Sequence, residues 1–239
     1  LGPYSPPSGE CSTQSGNVWI TNGTSIDEYA PSRKRPIARK GANETLTGCS
    51  VDPKTNDLAA AGDKGHLFIW HSGGGEPTTY TTKPYYTLEY CGYGDRGNLF
   101  IDGVETYNRS VAVFELPSGS NKLDRLSLDR KIRGAGQVQW DGKYVAIQNG
   151  DSPHDIYQVK ISGHTGTVVN TISFNGLRKH VASSWILGAT VLVPFGIRGR
   201  FVNAIGVFNY PAGGNPISIL KGTTYRYISA VTLSRGAVR

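Results

Sequence analysis

Methionine is absent from the 239 residues, cysteine occurs only three times, and no stretch carries apolar residues at sustained three- and four-residue spacing. The last absence argues against amphipathic helices, so helix is expected to be scarce. Long hydrophobic runs are missing too. The longest, around Trp185 to Phe195, is broken by Ser, Gly and Pro and is too short to cross a bilayer as a helix, so no membrane span is expected. A chain that has no methionine and starts at Leu1 reads as a processed product with a signal peptide or further segment upstream, and hence as secreted or displayed at the cell surface. Three cysteines allow one disulfide and one free thiol but do not describe a disulfide-stapled scaffold.

Clustered metal ligands are also lacking. His66, His71, His154, His164 and His180 stand singly, with no HExxH arrangement, and neither a metal nor a cofactor is expected. Gly73-Gly74-Gly75 joins two expected strands with no helix N-terminus behind it, so it is not a phosphate loop. Positive charge is in excess, at a formal +7, but Arg33-Lys34-Arg35, Arg39-Lys40, Arg130-Lys131 and Arg178-Lys179 are scattered over turns and strand ends. That scatter is the pattern of a solvated surface, and no nucleic-acid partner is expected.

What the chain does have is glycine (31), proline (13) and tyrosine (13), together with Thr and Val, a composition of strands and turns. It also has a repeat. A turn followed by an apolar strand recurs at Gly16-Asn17-Val18-Trp19-Ile20, Asn56-Asp57-Leu58, Gly97-Asn98-Leu99-Phe100-Ile101, Gly142-Lys143-Tyr144-Val145 and Gly188-Ala189-Thr190-Val191, in steps of 40, 41, 45 and 46. A second marker keeps the same phase: Tyr29-Ala30-Pro31, Trp70-His71-Ser72-Gly73, Phe114 to Gly119, Val159 to Gly163 and Phe208 to Gly213. Repeats of about 40 to 50 residues with four short strands each predict the blades of a β-propeller. The expected fold is therefore all-β, one propeller domain over residues 1–239, with six blades preferred to five.

The segments GNVWITNGTSIDEYAPS, GNLFIDG with VAVFELPSG, and IGVFNYPAGGNP resemble the NHL-type and YncE-type propeller repeats of exported bacterial proteins. The resemblance covers nearly the whole chain, rests on fold-forming residues, and implies fold and export rather than a ligand. It loosens where the first strands of the fourth and fifth repeats read Gln137-Val138-Gln139-Trp140 and Ser183-Ser184-Trp185.

The phase of the repeat places Leu1 in mid-blade and makes Ile228 to Leu233 the first strand of an unfinished sixth blade. Its missing strands are expected from a segment upstream of Leu1 or, by strand addition, from a neighbouring molecule, giving an oligomer or filament. Cys11, Cys49 and Cys91 occupy equivalent positions in three successive repeats, which reads as small buried residues, a disulfide or a thiol cluster. A loop face carrying Tyr85, Tyr86, Arg178, His180, Tyr225, Arg226 and Tyr227, with Tyr4, Tyr90 and Arg133 nearby, is the candidate surface for a protein or glycan. The functional expectation is a non-catalytic binding or self-assembly protein. The alternative is a propeller enzyme of lactonase or lyase type acting at the central channel.

Overall fold

Alternating apolar and polar residues between glycine turns give strands, and the computed structural model, which describes residues 9–82, 86–151, 155–177, 183–196, 202–221, 228 and 231–232, contains twenty of them. They come in five antiparallel four-stranded meanders. The first comprises β1 (Glu10–Ser12), β2 (Val18–Asn22), β3 (Ser25–Tyr29) and β4 (Ala38–Gly41). The second comprises β5 (Leu46–Val51), β6 (Leu58–Gly62), β7 (His66–Trp70) and β8 (Thr78–Thr81). Then follow β9 (Tyr86–Tyr93), β10 (Leu99–Glu105), β11 (Val111–Leu116) and β12 (Asp124–Leu128), and β13 (Val138–Trp140), β14 (Val145–Gln148), β15 (Ile156–Ser162) and β16 (Thr165–Ile172). The fifth has β17 (Trp185–Leu187), β18 (Thr190–Phe195), β19 (Ala204–Asn209) and β20 (Gly213–Lys221). No α-helix occurs among the described residues, and none of their helices is long and apolar enough to cross a membrane.

The all-β expectation therefore holds, but a single six-bladed propeller does not. The strands form sheets of four, four, eight and four, because β12 and β16 pair in parallel and fuse the third and fourth meanders. The cause is local. β12 pairs with β11 only as far as Leu126, leaving Ser127 and Leu128 with free backbone groups. The Ser127 N–H donates to the His164 carbonyl and the Asp129 N–H to the Gly166 carbonyl. At Gly166 a Cβ would run into the Leu128 side chain, so glycine permits the join. Of the expected sixth-blade strand, residues 229, 230 and 233 lie outside the described residues, and the Ile228 N–H donates to the Val202 carbonyl.

Period-2 alternation sends each strand's side chains to two different cores. In β6, Leu58 and Ala60 join Trp19, Ile26 and Trp70 between the first and second meanders, while Ala59 and Ala61 join Leu88, Leu99 and Phe114 between the second and third. Val113, Val138, Ile147 and Tyr157 fill the next layer, and Ile156, Ile186, Val193 and Phe208 the one after. The meanders thus stack face to face, each buried layer shared by two neighbours.

Stacking brings the first strands together edgewise. A Cβ at Gly9 would strike the Thr47 carbonyl, one at Gly48 the Glu89 carbonyl, and one at Gly92 the Val138 carbonyl. Three glycines thus let four first strands approach backbone to backbone.

Candidate functional site

The C-terminal ends of β1, β5 and β9, the whole of β13 and the start of β17 line one cavity of about 420 Å³. All five meanders contribute to it, and its walls are tied together seam by seam. Cys11 on β1 and Cys49 on β5 form a disulfide, with Cα atoms 5.7 Å apart. The Ser50 hydroxyl on β5 accepts the Tyr93 N–H of β9 at 3.0 Å, and the Thr47 hydroxyl donates to the Leu88 carbonyl at 2.8 Å. Asp102, deep behind β9, accepts the N–H groups of Tyr90 at 2.9 Å and Gly136 at 2.8 Å, joining the third meander to the fourth. Gln139 completes the set by mimicking a peptide group: its amide donates to the Ile186 carbonyl at 2.7 Å and accepts the Ile186 N–H at 2.8 Å.

Two half-buried tryptophans, Trp140 at the end of β13 and Trp185 at the start of β17, line this cavity together with Ser12 on β1 and Ser50 on β5. Asp141, next to Trp140, is desolvated, yet its donors outweigh that burial and hold its carboxyl below the usual range. They are Gln158 at 2.5 Å, the Tyr144 and Lys143 N–H groups at 2.7 and 2.8 Å, and the Tyr210 hydroxyl at 2.7 Å. A rigid hairpin thereby fixes the Trp140 backbone.

Cys91 lines the same cavity as the disulfide but is a free, buried thiol, and burial together with the nearby Asp102 pushes its ionisation far up. It is no nucleophile in this state. Among the described residues no three of His, Cys, Asp and Glu gather as ligands for a metal ion.

The candidate loop face fares differently. Tyr85, Arg178, His180, Tyr225, Arg226 and Tyr227 lie outside the described residues. Tyr86 is 3% exposed and packs edge-on against Phe114 at 5.2 Å, so this ring is core rather than surface. Tyr90 is likewise buried, between the third and fourth meanders. Of the cysteine alternatives the structure takes the disulfide for Cys11 and Cys49 and the small buried residue for Cys91.

No protein-family model matches the chain, and no curated protein does. Among solved structures it is similar to a protein of unknown function from Bacteroides caccae, at 13% identity and a TM-score of 0.67, over 96% of this chain and 86% of that one. It is also similar to Kuenenia stuttgartiensis hydrazine synthase, at 15% identity and a TM-score of 0.62, over 85% of this chain and 64% of that one. Such identities speak for the fold alone.

Proposed function

We propose that the chain is an exported, non-catalytic binding protein whose combining site is the cavity at the ends of the five first strands, and that its ligand is a saccharide. One observation carries the reading: Trp140 and Trp185 come from different meanders to the wall of one cavity of about 420 Å³ that also carries the Ser12 and Ser50 hydroxyls. Indole faces stack on the C–H faces of sugar rings, while hydroxyls in the same cavity exchange hydrogen bonds with ring substituents. The frame is preorganised, since Gln139 and Asp141 use their hydrogen bonds to hold backbone segments in place. The Cys11–Cys49 disulfide supports export, because such bonds persist in oxidising compartments. Kinship to NHL-type and YncE-type repeats belongs to the same proposal and rests on the turn-and-strand motifs, which fall on β2, β6, β10, β14 and β18.

Calorimetric titration with a panel of neutral and acidic oligosaccharides tests this reading. Saturable binding is expected, weakened by at least about tenfold in Trp185→Ala with unchanged circular dichroism. Absence of binding across the panel, or full binding by the variant, would overturn it.

A second reading, self-assembly, is favoured by β20. Among the described residues this nine-residue strand pairs with β19 and, at Gly214, bridges to Phe174, and it exposes Ile217 (57%), Ile219 (42%) and Leu220 (54%). It predicts oligomers that grow with concentration and that Ile219→Lys dissolves.

A further inference from the structure

A second, larger cavity of about 730 Å³ opens between the turns of the third and fourth meanders, and Gly94, Asp95 and Trp140 line both cavities. Trp140 therefore stands where the two cavities adjoin. The wall beyond it combines three kinds of group. The first is aromatic, with the half-buried Tyr144 ring beside Trp140. The second is cationic. Arg96 from the β9–β10 turn, Lys143 from the β13–β14 turn and Lys160 near the end of β15 are all exposed, and the exposed His164 follows in the β15–β16 turn. None of these four forms an ion pair among the described residues, although the Lys143 ammonium lies over the Tyr144 ring at 5.0 Å.

The third is a carboxylate built into the wall. Glu115 is only 7% exposed, and its Oε1 accepts the Asn98 amide N–H at 2.6 Å. The other end of that amide is fixed as well, because Asn98 Oδ1 accepts the Ser118 N–H at 3.0 Å. Glu115 Oε2 has no hydrogen-bond partner among the described residues, and the carboxyl lines the cavity. A nearly buried acceptor held in a fixed orientation and left half-satisfied is suited to a ligand hydroxyl. Three cations lining the same cavity, none in an ion pair among the described residues, are suited to an anion on the same ligand.

We infer that the saccharide of the first-strand cavity continues past Trp140 into this cleft and is acidic, a carboxylate or sulfate on its next ring being held by Arg96, Lys143 and Lys160 while a ring hydroxyl donates to Glu115. This inference rests on the saccharide reading above and adds to it the direction of the chain and the charge of its second residue. Positive turns here, rather than the net charge of the whole molecule, set the preference.

The double variant Lys143→Ala/Lys160→Ala tests it, because both side chains are exposed and Trp140, Trp185 and Glu115 stay in place. Binding of an oligogalacturonate and of a sulfated oligosaccharide is measured against their carboxyl-reduced and desulfated counterparts, at low and at high salt. For the native chain, one acidic probe is expected to bind at least about tenfold tighter than its neutral counterpart at low salt, with the advantage shrinking as salt rises. Which probe shows the advantage identifies the anion. In the double variant the preference should collapse while neutral binding is unchanged. Equal affinity for acidic and neutral probes, or a preference that survives in the double variant, overturns the inference and leaves the saccharide reading standing. Failure to bind any probe overturns both.

Discussion

Asp102 on β10 is fully buried, and burial pushes its carboxyl up against the pull of backbone N–H groups, chiefly those of Gly136 and Tyr90. Both donors belong to chain segments that would otherwise bury them unpaired, at a cost of about 1–3 kcal/mol each. Asp102→Ala is therefore expected to destabilise the protein by several kcal/mol in chemical denaturation, of order 2–6. Asp102→Asn, which retains one acceptor, should cost less. Equal losses in the two variants would show that the site needs shape rather than acceptors. Glu89, its neighbour on β9, makes a pH-dependent contribution. Desolvation is the main cause that raises its carboxyl from the usual 4.5 to about 7, with Arg109 opposing and Asp63 reinforcing the rise. The native state thus binds a proton that the unfolded chain has released between those values. Stability from this group is complete below about pH 4.5 and is lost as pH rises through about 7. Glu89→Gln should accordingly melt higher than the native protein at pH 8 and show no advantage at pH 4. An advantage that is largest in acid would contradict this assignment.

Among the elements, the first strands combine the smallest side chains with the closest approach. Gly48 sits where any Cβ meets the Glu89 carbonyl, a backbone atom that cannot swing aside. Gly48→Val is expected to cost about 3 kcal/mol or more, overpacking a contact that the repeat uses at Gly9 and Gly92 as well. Gly41, where a Cβ meets nothing within 4 Å, should accept Ala with little change in melting temperature. The Cys11–Cys49 bridge spans 38 residues across the same two strands, and Cys11→Ala/Cys49→Ala should lower stability by about 2–4 kcal/mol, read by denaturant titration. Cys91 should stay unmodified by iodoacetamide in the folded protein, since it is buried and its thiol is held protonated.

For the molecule as a whole, much of the fold is legible in the sequence. The five turn-and-strand motifs fall on β2, β6, β10, β14 and β18, and the second markers on the ends of β3, β7, β11, β15 and β19, because glycine turns and period-2 alternation are local signals. The fusion of two meanders is not local. It depends on Ser127 and Leu128 overrunning their partner strand and meeting Gly166, some forty residues on, and nothing in a 40-residue period records which outer strands touch. The site was half visible. Cysteine equivalence put Cys11, Cys49 and Cys91 at matching positions, and all three line one cavity, but Tyr86, placed on a surface by its loop context, is packed into the core against Phe114. The better signal was the loosening of the repeat at Gln139-Trp140 and Ser184-Trp185. Positions that depart from a repeat's pattern are where a role besides folding is sought first, and both tryptophans line the cavity.

Hydrogen–deuterium exchange of the full chain with and without a bound oligosaccharide tests this account most directly, because it reads where the ligand sits rather than whether it binds. Added protection is expected in segments 49–54, 92–96, 137–144 and 185–186, which carry lining residues of the two cavities, with β20 unchanged. Protection confined to β20, or to the outer strands β4 and β8, would place the ligand elsewhere and contradict the account.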